Sequence, residues 1–130
     1  MTKAPVKETP AADTLGLRFD ANKPRYDLIP PTVLHALAIH YAKGSEKYDE
    51  RNWEKGLSWC TTYRALQSHA NTWFMGQTFD NDPSMSDYRA HHMISVIWNA
   101  IAIYEYERRG IGTDDRPSAQ FSLPFEDFAP

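Results

Sequence analysis

Apolar residues recur at helical spacing in three stretches of this chain. In TVLHALAIHYAKG, residues 32–44, Val33, Leu34, Leu37, Ala38 and Tyr41 share one side of a 3.6-residue period, and Gly44 closes the run. In TTYRALQSHANTWFMG, residues 61–76, Tyr63, Leu66, Ala70, Trp73 and Phe74 do the same ahead of Gly76, with His69 at the edge of the stripe. A third helix is predicted from about Asp87 to Arg109, capped by Ser86 or Asp87 and stopped by Gly110. Its apolar positions are Met93, Ile94, Ile97, Trp98, Ile101 and Tyr104. His92, Ser95 and Asn99, at i, i+3 and i+7, lay a polar stripe along that same apolar helix.

The flanking segments lack this periodicity. MTKAPVKETPAADT, residues 1–14, is polar and Pro-containing, the composition of a flexible tail. In GLRFDANKPRYDLIPP, Pro24, Pro30 and Pro31 forbid a helix and favour an extended strap. SEKYDERNWEKG, residues 45–56, reads as a short charged helix or turn. Strand alternation and internal repeats are absent from the pattern. The fold class is therefore all-α, a bundle of three to four helices with an extended N-terminal strap. The domain is set at residues 15–112, followed by a C-terminal extension, 113–130, whose Phe121, Phe125 and Phe128 are available to pack on the body or on a neighbour.

Composition narrows the function. A length of 130 residues suits one domain. A formal net charge of -3 gives no basic footprint for duplex nucleic acid. Cys60 stands alone, so no intrachain disulfide is possible and a zinc site is disfavoured. No stretch has the length and apolarity of a signal h-region or a membrane span, and a soluble, reducing, cytoplasmic setting is expected.

The polar stripe needs partners, because an unpaired buried polar group is costly. If the second and third helices form a hairpin, His69 lies near it, and His69, His92 and Asn99 are expected to face a polar cavity. His91 points about 100° away from His92, so at most one of the pair is expected to enter the same cavity. Carboxylates and cations flank this region in sequence. Glu46 and Glu50 would share a face, beside Asp49, if SEKYDERNW is helical, and Asp80 and Asp82 follow later. Such a set suits the hard cations Mg²⁺ or Mn²⁺, which bind through a few carboxylates and substrate phosphates. Read by spacing alone, each of them fits a solvated charged turn better than a metal site. Lys23, Arg25, Lys47 and Arg51 supply charge fit for a polyphosphate, and Trp53, Trp73 and Tyr48 offer rings for a base or for the core.

In order along the chain, GLRFDANKPRYDLIPP, KYDERNWEKG, SHANTW, DND and HHMISVIWNA resemble the phage-type dATP/dGTP diphosphohydrolases, the MazZ-like group of the MazG-related all-α NTP pyrophosphatases. The resemblance covers about Gly16 to Arg109. It implies a metal-dependent enzyme that cleaves a purine deoxynucleoside triphosphate between the α- and β-phosphates, in phages that replace adenine by 2-aminoadenine. The metal ligands it implies are Glu46, Glu50 and Asp80, holding Mg²⁺ or Mn²⁺. Glu50, Asp82 and Asp87 are the catalytic candidates, the two aspartates as metal ligands or water-orienting bases in reserve. Lys23, Arg25 and Lys47 would hold the phosphates, Asn52, Trp53 and Asn99 would lie nearer the nucleoside, and His69 and His92 match the later blocks. The chain departs from the wider E-E-x-x-E and E-x-x-D signature. Glu46, Asp49 and Glu50 only approximate its first half, and Gln77 to Asp80 carries Gln in place of Glu. Ser68 and Ser95 also stand where Arg and His are usual.

Two other classes compete. An HD-type phosphohydrolase would need an adjacent His-Asp pair, which the sequence lacks. A non-catalytic nucleotide-binding or partner-binding helical module would make the stripe structural, and would release no pyrophosphate. Several aromatics on so small a bundle, together with the family resemblance, point to a homo-oligomer, a dimer or tetramer.

Overall fold

A computed structural model describes residues 15–19, 21–84 and 87–117. The expectations for residues 1–14, for Ser86 and for Phe121, Phe125 and Phe128 lie outside the described residues. The chain divides into two units, residues 1–30 and 31–130. In the first, the described segment is non-helical apart from one 3-10 turn, Tyr26–Leu28, as its prolines require. Arg25 binds Asp27 through both Nε and Nη2, at 2.8 and 2.7 Å.

The second unit holds three α-helices: α1, Pro31–Lys47; α2, Trp59–Phe74; and α3, His92–Arg109. Among the described residues there is no strand, only two isolated bridges. The all-α class holds. Pro31 opens α1, where its missing N–H and fixed φ cost nothing. The helix does not stop at Gly44, as its pattern suggested, but runs one turn further to Lys47, and Gly44 accepts from the Tyr48 amide. Consequently Tyr48 to Glu50 form a turn and Asn52–Lys55 a 3-10 helix, so Glu46 and Glu50 do not share a helical face. Ser58 caps α2, its Oγ accepting from the Thr61 amide. The start of α3 also differs from expectation. His91 is its cap, Nδ1 accepting from the Met93 amide, and Asp87 lies five residues upstream. The reason is the bridge between Phe79 and His91, which holds the chain extended up to residue 91 and closes the α2–α3 connection into a loop. Asp80 N–H donates to the Ala90 carbonyl and His92 N–H to that of Thr78.

α3 packs chiefly on α2, less on α1, and touches the 3-10 turn at Trp53. Its buried residues are His92, Ser95, Asn99, Ala102 and Tyr106. This is the polar stripe extended by two turns. The apolar residues flanking it are only half-buried, and Tyr104 is exposed. Of the α2 face expected in the core, Leu66 and Ala70 are half-buried, while Tyr63, Trp73 and Phe74 are exposed, the last at 80%. Tyr106, fully buried, donates its hydroxyl to the Trp53 carbonyl at 2.7 Å, and Arg109 bridges Glu54 and Glu105 while lying over the Trp53 ring. Helix α3 thereby fixes the turn that carries Asn52 and Trp53.

A second tie joins the segment after α3 to the start of α2. Trp59 Nε1 donates to the Ile111 carbonyl, and Asp115 accepts from Ser58 Oγ and from the Cys60 amide. Gly56, at φ +96, and Gly112, at φ +80, pass so close that a Cβ on Gly56 would sit 2.7 Å from the Gly112 nitrogen. Gly56→Ala is expected to lower stability by about 1–3 kcal/mol, measured by urea unfolding. The Ser58 hydroxyl and the Cys60 amide lower the Asp115 pKa from 3.8 to about 2. A depressed carboxylate contributes stability that is complete above its unfolded pKa and is lost as pH falls through the folded one. The melting temperature should therefore fall between about pH 4 and about pH 2, and Asp115→Asn should flatten that decline. An unchanged acid limb in the variant would count against this tie.

Candidate active site

Between α1, the 3-10 turn, α2, the α2–α3 loop and α3 lies a cavity of about 490 Å³. That is within the range of small-molecule sites, roughly 300–1,000 Å³. Each element contributes a distinct chemistry. From α1 come His40, Tyr41 and Lys47, along one side of the helix at i, i+1 and i+7. From the turn come Asp49, Asn52 and Trp53, from α2 His69, from the loop Asp80 and Asp82, and from α3 Ser95, Trp98 and Asn99.

The aromatic part is a cluster of three rings. Trp53, Trp98 and Tyr41 contact one another with centroids 6.2 to 6.3 Å apart. Asn99, 6% exposed, donates Nδ2 to the Ser95 carbonyl at 2.8 Å. Only the NH₂ end of an amide can face a carbonyl oxygen, so the orientation is set by chemistry and Oδ1 is left as an acceptor with no protein partner among the described residues. The stripe thus offers the cavity a fixed acceptor next to a wall of rings.

The polar part gathers on the other elements. Lys47 Nζ lies 3.3 Å from Asp82, whose other oxygen accepts from the amide and hydroxyl of Ser84. The Ser84 hydroxyl and amide, then Lys47, hold the Asp82 carboxyl below its usual value, and Asp82 in turn raises that of Lys47. Both are charged at neutral pH. His40 shares a hydrogen bond with the Tyr88 hydroxyl at 2.9 Å, and burial lowers its pKa, as does His69. The pKa of His69 is likewise lowered, chiefly by burial, with Asp80 opposing and His92 assisting. Nδ1 of His69 lies 2.9 Å from Nδ1 of His92.

Of the residues marked from sequence, the structure brings together Lys47, Asn52, Trp53, His69, Asp80, Asp82 and Asn99 on this one cavity. Others lie elsewhere. His92 is buried behind His69 and does not line the cavity. Glu46 pairs with Lys43 at 3.5 Å, and Asp87 pairs with the same lysine at 2.8 Å. Glu50 does not line the cavity but an adjoining, more open hollow, which shares Tyr41, Ser45, Arg51 and Trp53 with it. Glu46, Glu50 and Asp80 are therefore not assembled as one ligand set, because the helix that would have aligned the first two ends at Lys47. Lys23 and Arg25 belong to the other unit. Sequence reasoning left His40, Tyr41 and Trp98 out of the site and named Asp49 only beside Glu46 and Glu50. The signal for the first two was their register with Lys47 on α1, which a helix ending at Gly44 obscured.

Among the described residues no three His, Cys, Asp or Glu side chains converge on a point where they could cage a metal. The cavity nevertheless carries three carboxylates, Asp49, Asp80 and Asp82, and these hard oxygen donors match Mg²⁺ or Mn²⁺ held by one or two carboxylates and completed by substrate phosphates. Asp80 and Asp82 are the groups that would hold it.

If Lys47 is the cation that meets substrate phosphate, Lys47→Met should raise KM for dGTP at least about tenfold while shifting the melting temperature little, since its present partner Asp82 is also held by Ser84. Steady-state kinetics and a thermal melt of the one variant check both halves.

No curated protein and no solved structure matches the chain. Residues 13–116 match the family model described as dATP/dGTP diphosphohydrolase, N-terminal. That span contains every described residue of the cavity, and with most of the chain matched, the protein belongs to the dATP/dGTP diphosphohydrolase family and is a hydrolase of nucleoside triphosphates.

Proposed function

We propose that this chain is a Mg²⁺- or Mn²⁺-dependent pyrophosphohydrolase that adds water across the α–β bridge of dGTP and dATP, releasing the monophosphate and pyrophosphate. The observation that carries the reading is the single cavity lined both by Lys47, Asp80 and Asp82 and by Trp53, Trp98 and Asn99. One set suits a metal-bound polyphosphate and the other a purine. Hydrolysis of a phosphoanhydride develops charge on the non-bridging and leaving oxygens, so the protein's task is chiefly to position and to stabilise that charge. A divalent cation supplies the Lewis acid and lowers the pKa of water. Lys47 binds phosphate oxygens once released from Asp82, and Asp80 and Asp82 supply the anionic oxygens. Trp53 offers its ring to the base, and the free Oδ1 of Asn99 accepts from a base N–H.

The ordered blocks that resemble MazZ-like phage enzymes support a role in remodelling the nucleotide pool of a bacterial host cytoplasm for 2-aminoadenine DNA, through supply of dGMP and removal of dATP. The exposed apolar residues Leu34, Tyr63, Trp73, Phe74, Met75 and Tyr104 support a homo-oligomer, whose mass in solution light scattering would report.

Product analysis on a deoxynucleotide panel with Mg²⁺ or Mn²⁺ tests the reaction: monophosphate plus pyrophosphate from dGTP and dATP, and little from dCTP or dTTP. Diphosphate plus phosphate, or free nucleoside, would assign another reaction. Within the site, Asp80→Asn should lower kcat by about a hundredfold or more, whereas Glu50→Gln, on the adjoining hollow rather than in the cavity lining, should stay within about threefold of the parent. The reverse order would return the metal to Glu50.

A further inference from the structure

We propose that His92 is a positioning residue that fixes its neighbour His69 in the tautomer protonated on Nε2, so that the active-site cavity is offered an imidazole N–H donor of defined direction. The inference deepens the nucleotide-hydrolysis reading and rests on it for its consequence, though its geometry stands alone.

The two rings meet through like atoms. Nδ1 of His69 and Nδ1 of His92 are 2.9 Å apart, with ring centroids at 5.2 Å. At that separation one proton must lie between them: none leaves two lone pairs facing, and two leave two N–H groups facing. Either ring can donate it, and the surroundings of His92 choose. His92 is 4% exposed, and its Nε2 is sealed from solvent with no hydrogen-bond partner among the described residues. Were His69 the donor, a neutral His92 would carry its own proton on Nε2, leaving a buried N–H unpaired. Orphaned buried N–H groups are rare in folded proteins, and under-satisfied acceptors somewhat less so. With His92 donating from Nδ1, its Nε2 keeps only a bare lone pair. That is the arrangement the burial selects.

The consequence passes to His69. Its Nδ1 is then the acceptor, so a neutral ring carries its proton on Nε2, on the other side of the ring. His69 lines the cavity, and its Nε2 has no hydrogen-bond partner among the described residues. A protonated His69 would carry hydrogen on both nitrogens and force His92 into the unfavourable tautomer, which disfavours the charged form beyond the effect of burial. The groups that act on His69 are His92 behind it, His40 on α1 and Asp80 in the loop, and of these only Asp80 favours the cation. On the reading above, the Nε2–H meets an anionic phosphate oxygen as an uncharged donor, and so does not repel a cation that arrives with the nucleotide.

The test is spectroscopic first. In protein labelled with ¹⁵N-histidine, long-range ¹H–¹⁵N correlation at neutral pH distinguishes the two tautomers of each ring, and single variants assign the signals among the five histidines. His69 is expected protonated on Nε2 and His92 on Nδ1; the opposite pair, or rapid exchange between tautomers in His69, overturns the proposal whatever the activity. His92→Asn places an amide N–H where Nδ1–H was, and should retain both the His69 tautomer and kcat within about fivefold. His92→Leu removes the donor, and should give mixed tautomers in His69 with kcat lower by roughly 10–100-fold and KM little changed. A loss of kcat in His92→Leu with the His69 signals unmoved would show a purely structural role and overturn the proposal. Should that variant fail to fold, the wild-type spectrum alone decides. The expected spectrum in a protein that hydrolyses no nucleotide would uphold the tautomer and sink only the functional reading.

Discussion

The contact of α2 with the narrow, polar side of α3 is the constraint on which the rest of this domain depends. His92, Ser95, Asn99, Ala102 and Tyr106 recur at alternating steps of three and four residues and are the most buried side chains of α3. Only the last is a large hydrophobe. Small residues at Ser95 and Ala102 let the neighbouring helix come near, and the bulk of Tyr106 closes the far end, where its hydroxyl seizes the Trp53 carbonyl. An ordinary core of Leu and Ile at these positions would bury more apolar area, each side chain being worth roughly 1.5–3 kcal/mol. It would also fill the floor of the cavity. The domain gives up apolar burial along this line in return for a polar surface held at defined geometry.

Polar burial of this kind is tolerable only where each group has a partner or an opening. Asn99 satisfies its NH₂ on the carbonyl one turn back and turns its oxygen away from it. His92 satisfies one nitrogen on His69 and leaves the other unpaired, the one such buried side-chain atom among the described residues. Among the described residues, polar contacts tie the opposite wall together: Lys43 to Asp87, Lys47 to Asp82 and His40 to Tyr88, all from α1 to the loop, the last pair also in ring contact. That loop is tied covalently and by the 79–91 bridge at its ends, and among its described middle residues Asp82 and Asp87 are held to α1 by ion pairs that water or a phosphate can replace. Stiffness therefore resides in the aromatic and α3 walls, and exchangeable contacts in the α1 and loop walls. For a site that must grip a base and also admit a charged chain, that division is physically apt.

Pattern alone decided a good deal. Three apolar-periodic runs gave three helices, prolines kept residues 16–30 out of them, and the spacing of His92, Ser95 and Asn99 marked the face that is in fact buried. Helical registry is a local property, set by a 3.6-residue repeat that any reader of the chain can count. Block order along the chain likewise pointed to the family that residues 13–116 match. Helix ends were less legible, because they are settled by competition. Gly44 has the intrinsic tendency to stop a helix, yet α1 continues, and Asp87 has the side chain of a cap, yet a two-residue bridge delays α3 to His92.

What only the tertiary structure decided is which charged and polar groups meet. Glu46, Glu50 and Asp80 looked alike in sequence as carboxylates near a nucleotide motif, but α1 ends at Lys47, too early to carry the first two on one face, and Asp80 is left with Lys47, Asp82 and His69. Likewise, that His69 and His92 touch through their Nδ1 atoms depends on the crossing of two helices joined by a 17-residue connection, 75–91. Periodicity reports the direction of a side chain around its own axis. It carries no information on the distance between two axes, and hydrogen bonds and ion pairs depend steeply on that distance.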